Sequence, residues 1–567
     1  MYAGKAKAID LPSTGHLHIL KNGYVYWHMG NGWNSKKKQP DDGRVAIGKI
    51  DPDNEKMFFP NSKYWDLFPT GTDDKGDTVL PTHLQKPGRV SSLLNYGCYA
   101  AMKAAADKTG CLQALKNVFP GDWKEIFAVA LHAIDAQDST AQNFENWSFH
   151  NYCGLEKPIS DSEISRLFKR IGQDPEDIAD FLYQFREKYF QSVAGAGQIA
   201  LAFDSTNQNT YSKHNPLAEY GHPKVDEKAP DISTAMFVDE ATSIPIYYEV
   251  FYGSLLDKAE TPVTLEKAKD LGFSKLLIDV DCGYCSEECA RAMSADGGQF
   301  IAMCPDSISI VDEMMAEYAG QLKDNEEYYI HIENAYGLVK NDVKVLGGTY
   351  DAYLFYDPVR GADEVETIHE KVKILTELAE TKKRYTDKLR DRFAPWLTIT
   401  KLEKKDPVTG KNFTVKENAA KVQECINRAG YFVVISNTRF DPARTLHIAR
   451  TRDCNEKVFC RMKSHFDLAK TYTHEPGTYL GKMFVAFIGL VIVQSYRWYV
   501  RNRLSAVSSV TTATTIGELD KYQIWRKRDG TWMPYYAMTK KQKDLFSDLL
   551  LTEKTLVESI RNIKLLV

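Results

Sequence analysis

The sequence predicts a multi-domain α/β protein: a mixed-sheet core, interrupted by a β-rich insertion and preceded by a small β module and a helical region. Three observations carry this. Short alternating apolar runs broken by turn residues fill residues 1–88, a helical period dominates 89–194, and from 195 onward strand-like runs alternate with helical segments. At 567 residues the chain is too long for one core.

In residues 1–88, "GYVYWHM" alternates and "MGNGW", "KKKQPDDG" and "DPDN" break the pattern, as short strands and turns do. Residues 89–194 hold "WKEIFAVALHAIDAQ" and "SDSEISRLFKRIG", the latter opening on Ser160 and Glu163 at the spacing of a capping box. Residues 195–304 read as three strands ("GQIALAFD", "TAMFVDE", "IPIYYEVFYGS"), a helix, the strand "SKLLIDVD", the helix "SEECARAMSADG" and the strand "QFIAMCP". Residues 305–430 form the insertion, with alternating strands, one long charged helix "ADEVETIHEKVKILTELAETKKRYTDKLRDRF" and a hairpin at "KKDPVTGKNF". The core resumes over 431–505 with "GYFVVISNT", a helix over "ARTRDCNEKVFCRMK" (449–463) and the apolar run "MFVAFIGLVIV", and a polar region spans 506–567. That apolar run is short of the roughly 20 residues a bilayer needs, so a buried core helix is expected.

Composition narrows the function. A net charge of −4 points to no polyanion partner globally, so any nucleic-acid contact must come from local basic patches. The N-terminus lacks the apolar core of a signal peptide, and ten scattered cysteines suit reduced thiols, so a cytoplasmic protein is expected.

Acids at strand ends of an α/β sheet commonly face a functional crevice. Asp204 ends "IALAFD", Asp281 or Asp279 ends "KLLIDVD", and Glu456 lies on the 449–463 helix. A single strand-end Asp is more often a helix cap or turn former. Together, three carboxylates can hold two divalent ions, the arrangement phosphodiester chemistry uses, and Mg²⁺ suits all-oxygen ligation. On a continuous helix Arg452, Glu456 and Lys463 share one face, with Val458, Phe459, Met462 and Phe466 as an adjacent apolar stripe; the alternative is an Arg–Glu pair on a solvated helix.

The spacing Arg-x3-Glu-x6-Lys resembles the latter part of the Y-x2-R-x3-E-x6-K signature of DDE transposases in the insertion-sequence-four superfamily of bacteria and archaea. "LAFDSTNQ" resembles their first-Asp motif, "DVDCGYCSEE" the second (D-x-G-[FY]-x-S), and "GSLLD" at 253–257 an element between them. The resemblance implies an RNase H-like catalytic core with Asp204, Asp281 and Glu456 as catalytic metal ligands. It further implies two Mg²⁺ per site, with Mn²⁺ able to substitute, and Arg452 and Lys463 on DNA phosphates. The implied activity is binding of the element's ends, metal-dependent cleavage and strand transfer by a homodimer on double-stranded DNA. A DDE-type nuclease, or an inactive end-binding regulator derived from a transposase, is the alternative. One departure stands out: the signature Tyr falls at Ala449.

Further candidate DNA contacts are Lys36, Lys37 and Lys38, Arg166, Lys169 and Arg170, and Lys382, Lys383, Arg384, Lys388 and Arg390. Cys282-x2-Cys285 between a strand and a helix offers a redox pair, or with Cys289 part of a zinc site, as rival readings.

Overall fold

The computed structural model describes residues 8–565 apart from 14–15, 30–31, 35–38, 42, 69, 74, 80–89, 195–198, 213, 222–225, 227, 256, 271–275, 324, 507–509 and 528–529. Lys36, Lys37 and Lys38 therefore lie outside the described residues. The chain forms two compact units, one of Met1–Ser91 with Val567 and one of Ser92–Leu566.

In the first unit an antiparallel sheet runs in the order Ile9–Asp10, Asn54–Pro60, Arg44–Asp51, Tyr24–His28, Leu17–Ile19. Ile9, Val25, Ile47, Phe58, Tyr64 and Val79 make its core.

The second unit opens with a strand and six helices, the fifth of which is α1 (Asp161–Gly172). The capping box is present: Ser160 Oγ accepts from the Glu163 amide at 3.3 Å, and Glu163 accepts from the Ser160 amide at 2.8 Å.

The mixed sheet comes next. Its strands are β1 (Ala200–Thr210), β2 (Asp231–Asp239), β3 (Pro245–Tyr252), β4 (Leu277–Val280), β5 (Gln299–Met303), β6 (Ala335–Val345), β7 (Gly348–Tyr356) and β8 (Tyr431–Ser436), with helix α2 (Glu287–Ser294) between β4 and β5. The order is β3-β2-β1-β4-β5-β8-β7-β6, ending on Tyr329–Ile330. β1, β4 and β5 are parallel, and the remaining pairs in that order are antiparallel. The sheet is thus mixed, as the sequence predicts.

β6 and β7, read as part of the insertion, pair into the core sheet through β8. Their apolar residues are buried against Val434 and Ile301 in one cluster, so they extend the sheet. The chain between β7 and β8 builds a separate cluster of Val372, Leu389, Phe393, Leu397, Ile399 and Phe413. Here the long charged helix proves to be two, α3 (Pro358–Glu380) and Asp387–Phe393. Thr386 caps the second, and the Tyr385 amide donates to Asn412 of the hairpin, whose strands are Leu397–Lys401 and Phe413–Glu417.

After β8 come α4 (Pro442–Thr451), α5 (Cys454–Cys460), α6 (Pro476–Tyr499) and α7 (Thr512–Asp520). α6 is long and apolar enough to cross a membrane by length and composition, yet residues 483–496 are buried inside the unit. It crosses α1 at backbone contact: a Cβ on Gly481 would lie 1.9 Å from the Phe168 carbonyl oxygen, and one on Gly172 1.8 Å from that of Gly477.

Candidate active site

β1 and β4 are neighbours in parallel register, Ala202 opposite Asp279 and Phe203 opposite Val280. The next step of that register sets Asp204 beside Asp281 on one face of the sheet. β4 ends there, and the Asp281 carboxylate caps the short turn Cys282–Tyr284 by accepting from the Cys282 amide at 2.7 Å. The buried Tyr284 reaches back, its hydroxyl donating to Asp204 Oδ1 at 3.2 Å and its ring edge-on to Phe203. Ser286 caps α2 through the Cys289 amide. Asp, Tyr and Ser of D-x-G-Y-x-S thus each have a mechanical task. Between the two candidates on β4, the structure distinguishes by exposure: the Asp281 side chain is 47% exposed, whereas Asp279 is 1% exposed.

Arg452 closes this end of the sheet, its Nη1 2.9 Å from Asp281 Oδ1. One tier deeper, Asp279 is hydrogen-bonded to Glu240, the residue after β2, and Glu240 also accepts from the Thr451 hydroxyl at 2.8 Å. Burial pushes Glu240 up to about 7, against the Thr451 bond, and pushes Asp279 well above the carboxylate range, helped by Glu240 itself. Both carboxyls are thereby biased toward their protonated forms. Burial pulls on Arg452 in the other direction, but Asp279, Asp281 and Asp204 outweigh it and the guanidinium stays above its ordinary value. Burial likewise opposes ionisation of Asp281, and Arg452 with the Cys282 amide overcomes it, holding that carboxyl below the usual range.

Sequence reasoning missed Glu240 and Thr451. The run "FVDE" did end in two acids, and Asp279 stands two residues before Asp281, but no spacing links either to Arg452.

The helix expected over 449–463 is broken. α4 ends at Thr451, α5 begins at Cys454, and Arg461–His465 winds as a π-helical turn. Arg452 therefore leaves the end of α4 toward the aspartates, while Glu456 rides on α5, which packs over β1 and β2. The apolar stripe is as expected, with Val458, Phe459, Met462 and Phe466 all buried. Glu456 is exposed and Lys463, in the π turn, is half-buried. Asp204, Asp281 and Glu456 are not drawn within 4.8 Å of one another. Among the described residues the one such group is Cys98, Asp135 and Asp520. Carboxylates repel without a cation, and a pair of ions about 4 Å apart needs ligands spread around both. The strand expected to end at Asp204 runs on to Thr210, so Asp204 stands within β1 and Asp281 just past the end of β4; both are hard oxygen donors, a donor set that suits Mg²⁺.

Ala449 packs against the sheet cluster of Leu277, Ile301, Tyr353 and Leu446. That position faces the core, so no side chain there contributes to the acid cluster.

The other cations sort by what they touch. Arg166 and Lys169 are exposed on α1, but Arg170 is paired with Asp122 at 2.7 Å and Glu125 at 3.7 Å. Lys382, Lys383 and Arg384 lie in the link between α3 and the next helix, and Lys388 is exposed on that helix. Arg390 pairs with Asp387 and Asp391. Lys382, Lys383, Arg384, Lys388 and Arg390 thus border the separate cluster between β7 and β8. The cysteines Cys282, Cys285 and Cys289 are free thiols, and Cys285 Sγ lies 3.9 Å from Cys304 Sγ. The Asp257 side chain of "GSLLD" lies outside the described residues.

Residues 195–488, just over half of the chain, match the family described as the transposase DDE domain. The chain belongs to that family. The DDE domain match takes in β1 through most of α6, and with them Asp204, Glu240, Asp281, Arg452, Glu456 and Lys463. A piggyBac transposase synaptic complex with hairpin DNA, determined by cryo-electron microscopy, is similar over 83% of this chain and 85% of that chain, at 11% identity and a TM-score of 0.35. No curated protein matches the chain.

Proposed function

We propose that this DDE-family protein is a transposase of the insertion-sequence-four type that binds the ends of its element, cuts them and joins them to target DNA. The observation that carries the reading is the register of β1 and β4, which brings Asp204 level with Asp281, with Arg452 paired to Asp281 and the Glu456 helix α5 laid over β1 and β2. Asp204, Asp281 and Glu456 would hold divalent ions, Mg²⁺ by preference and Mn²⁺ in its place. Such ions, when bound, activate the attacking water or 3′-hydroxyl and stabilise the leaving oxygen.

This chain's own residues do the rest. Tyr284 and the Ser205 amide, which donates to Asp204 Oδ1 at 2.7 Å, fix that carboxylate; the Cys282 amide and Arg452 fix Asp281. Arg452, held charged by the acids around it, and Lys463 orient a DNA phosphate at the cleaved end. α5, anchored over β1 and β2 by its apolar stripe, would supply Glu456 as the third ligand. Two copies of the chain would hold two element ends together.

Cleavage of an end-bearing duplex in Mg²⁺ tests this. Asp204→Asn, Asp281→Asn and Glu456→Gln should each abolish nicking and strand transfer while the duplex still shifts on a native gel. Mg²⁺-dependent cleavage retained by Glu456→Gln would sink the assignment. A second reading, an end-binding regulator, is favoured by the Arg452–Asp281 pair occupying one of the acids. It predicts binding with no cleavage by the natural chain in Mg²⁺ or Mn²⁺.

A further inference from the structure

Beyond the acids, the same stretch of chain builds a second polar feature. A cavity of about 440 Å³ lies between the π turn after α5, the C-terminal half of α6 and the start of α7. Arg461, His465 and Arg497 line it, and among the described residues no carboxylate does. The Nε of Arg461 and the Nδ1 of His465 are buried without a hydrogen-bond partner, and Arg497 Nη1 donates to the Thr512 hydroxyl. Thr511, Thr512 and Ala513, the N-cap and first turn of α7, form one wall. The first amides of a helix have no partner within it and mark the positive end of its dipole.

Two guanidinium groups, an imidazole and a helix N-terminus thus converge with nothing negative among these lining groups. Burial, with Arg497 nearby, brings Arg461 down to about 10, and burial with both arginines pulls His465 down as well. Uncompensated cations in a half-buried cavity repel one another. Such an arrangement is destabilising unless an anion enters, and paired guanidinium forks with helix amides are the donors that suit a tetrahedral oxyanion.

We propose that this cavity is a binding site for a phosphate group, held by Arg461, Arg497 and the N-terminus of α7. Arg461 stands five residues after Glu456 in one continuous helical run, so a phosphate here ties the Glu456-bearing segment to α6 and α7. The phosphate comes either from the DNA backbone or from a small free anion.

Thermal unfolding of the full chain in inorganic phosphate, against chloride at matched ionic strength and without metal or DNA, tests the site. Phosphate should raise the wild-type midpoint, and Arg461→Met and Arg497→Met should each weaken the half-saturating response by about tenfold or more. In chloride alone Arg461→Met should be at least as stable as wild type, because a repelling cation is gone, which separates loss of the site from loss of folding. A wild-type midpoint no higher in phosphate than in chloride, or equal responses in wild type and both variants, overturns the proposal. Binding of a duplex by fluorescence anisotropy then identifies the source. A backbone phosphate requires Arg461→Met to lose about tenfold in affinity and to reduce the salt slope by about one. A free anion requires unchanged duplex affinity with the phosphate response still lost. The thermal measurement stands without the transposase reading; only the duplex arm leans on it, so the two can fail separately.

Discussion

Replacing Arg452 by methionine keeps the side chain's bulk and removes its charge. The guanidinium answers Asp281 at the surface and the Asp279–Glu240 pair beneath it. Deleting one partner of a buried ion pair costs about 3–5 kcal/mol, whereas an exposed pair is worth less than about 1. The Asp281 side chain is 47% exposed, so most of the loss must come from the deeper pair, which with Glu240 at about 7 keeps about one negative charge at pH 8; we expect about 3 kcal/mol there. Glu240→Gln removes that charge. It should cost little in wild type, yet recover at least about 1 kcal/mol in the Arg452→Met background, a coupling that neighbouring charges show and distant sites do not. Urea midpoints followed by tryptophan fluorescence measure all four proteins. The pH dependence gives a second handle. Glu240 is raised from 4.5 in the unfolded chain to about 7, so the native state binds the extra proton between those values. The Glu240 contribution to stability should therefore fall as pH rises from about 4.5 to 7, and Glu240→Gln should reduce the slope in that window. Costs of the two single changes that add within about 0.5 kcal/mol would refute the network.

The Asp520 carboxyl, pushed up to about 9 by burial and by Asp135, keeps its proton where the unfolded chain has lost it. Stability should decline from about pH 4 to 9, by up to about 1.4 kcal/mol per pH unit, and Asp520→Asn should raise the melting midpoint at pH 8 but not at pH 4. Gly481→Ala should destabilise by about 3 kcal/mol, seen as a lower urea midpoint, because its Cβ would meet the Phe168 carbonyl and backbone cannot swing aside. The double change Cys282→Ser with Cys285→Ala should leave DNA cleavage in Mg²⁺ within about twofold of wild type, since the redox reading needs both thiols, whereas the acid cluster uses only the hydrogen bond from the Cys282 side chain to Asp281, which serine keeps.

The strands that position the site were legible because "IALAFD" and "KLLIDVD" are short apolar runs closing on acids, but Asp204 proves to stand within β1, which runs on to Thr210, and the choice of Asp281 over Asp279 needed their exposure in the fold. The capping box at Ser160 and the apolar stripe from Val458 to Phe466 were legible for the same reason: both are local periodicities. The break at Arg452–Asp453 was not. No glycine or proline stands between Pro442 and Glu475, and both residues keep right-handed helical dihedrals, so nothing local ends the helix. What coincides with the break is tertiary: Arg452 turns to Asp281, and Thr451 to Glu240, 211 residues earlier. The insertion was misread in the opposite sense. β6 and β7 have the alternation of an independent sheet, and only their pairing with β8, across the whole of α3 and the hairpin, makes them part of the core.

Arg452 has two partners competing for it, and this makes a last prediction. In the free protein it pairs with Asp281, which under the proposed mechanism is also an ion ligand, and in the DNA complex it is proposed to hold a phosphate. Each tenancy excludes part of the other. An ion approaching Asp281 without DNA must displace or share a guanidinium, while an ion approaching after DNA finds the carboxylate released. Binding of metal and DNA should therefore be mutually favourable, and by linkage the effect must be reciprocal. The half-exposed pair is worth up to about 1 kcal/mol, so the expected gain is about fivefold. Titration with Ca²⁺, which carries the charge and the oxygen preference the site calls for, should show wild-type affinity rising by about that factor when a duplex is present. Arg452→Met, with Asp281 already released, should bind Ca²⁺ more tightly than wild type without DNA and gain less when DNA is added. Equal Ca²⁺ affinities for the two DNA-free proteins would show that the ion pair does not gate the site, and Arg452 would then be a structural counter-charge alone.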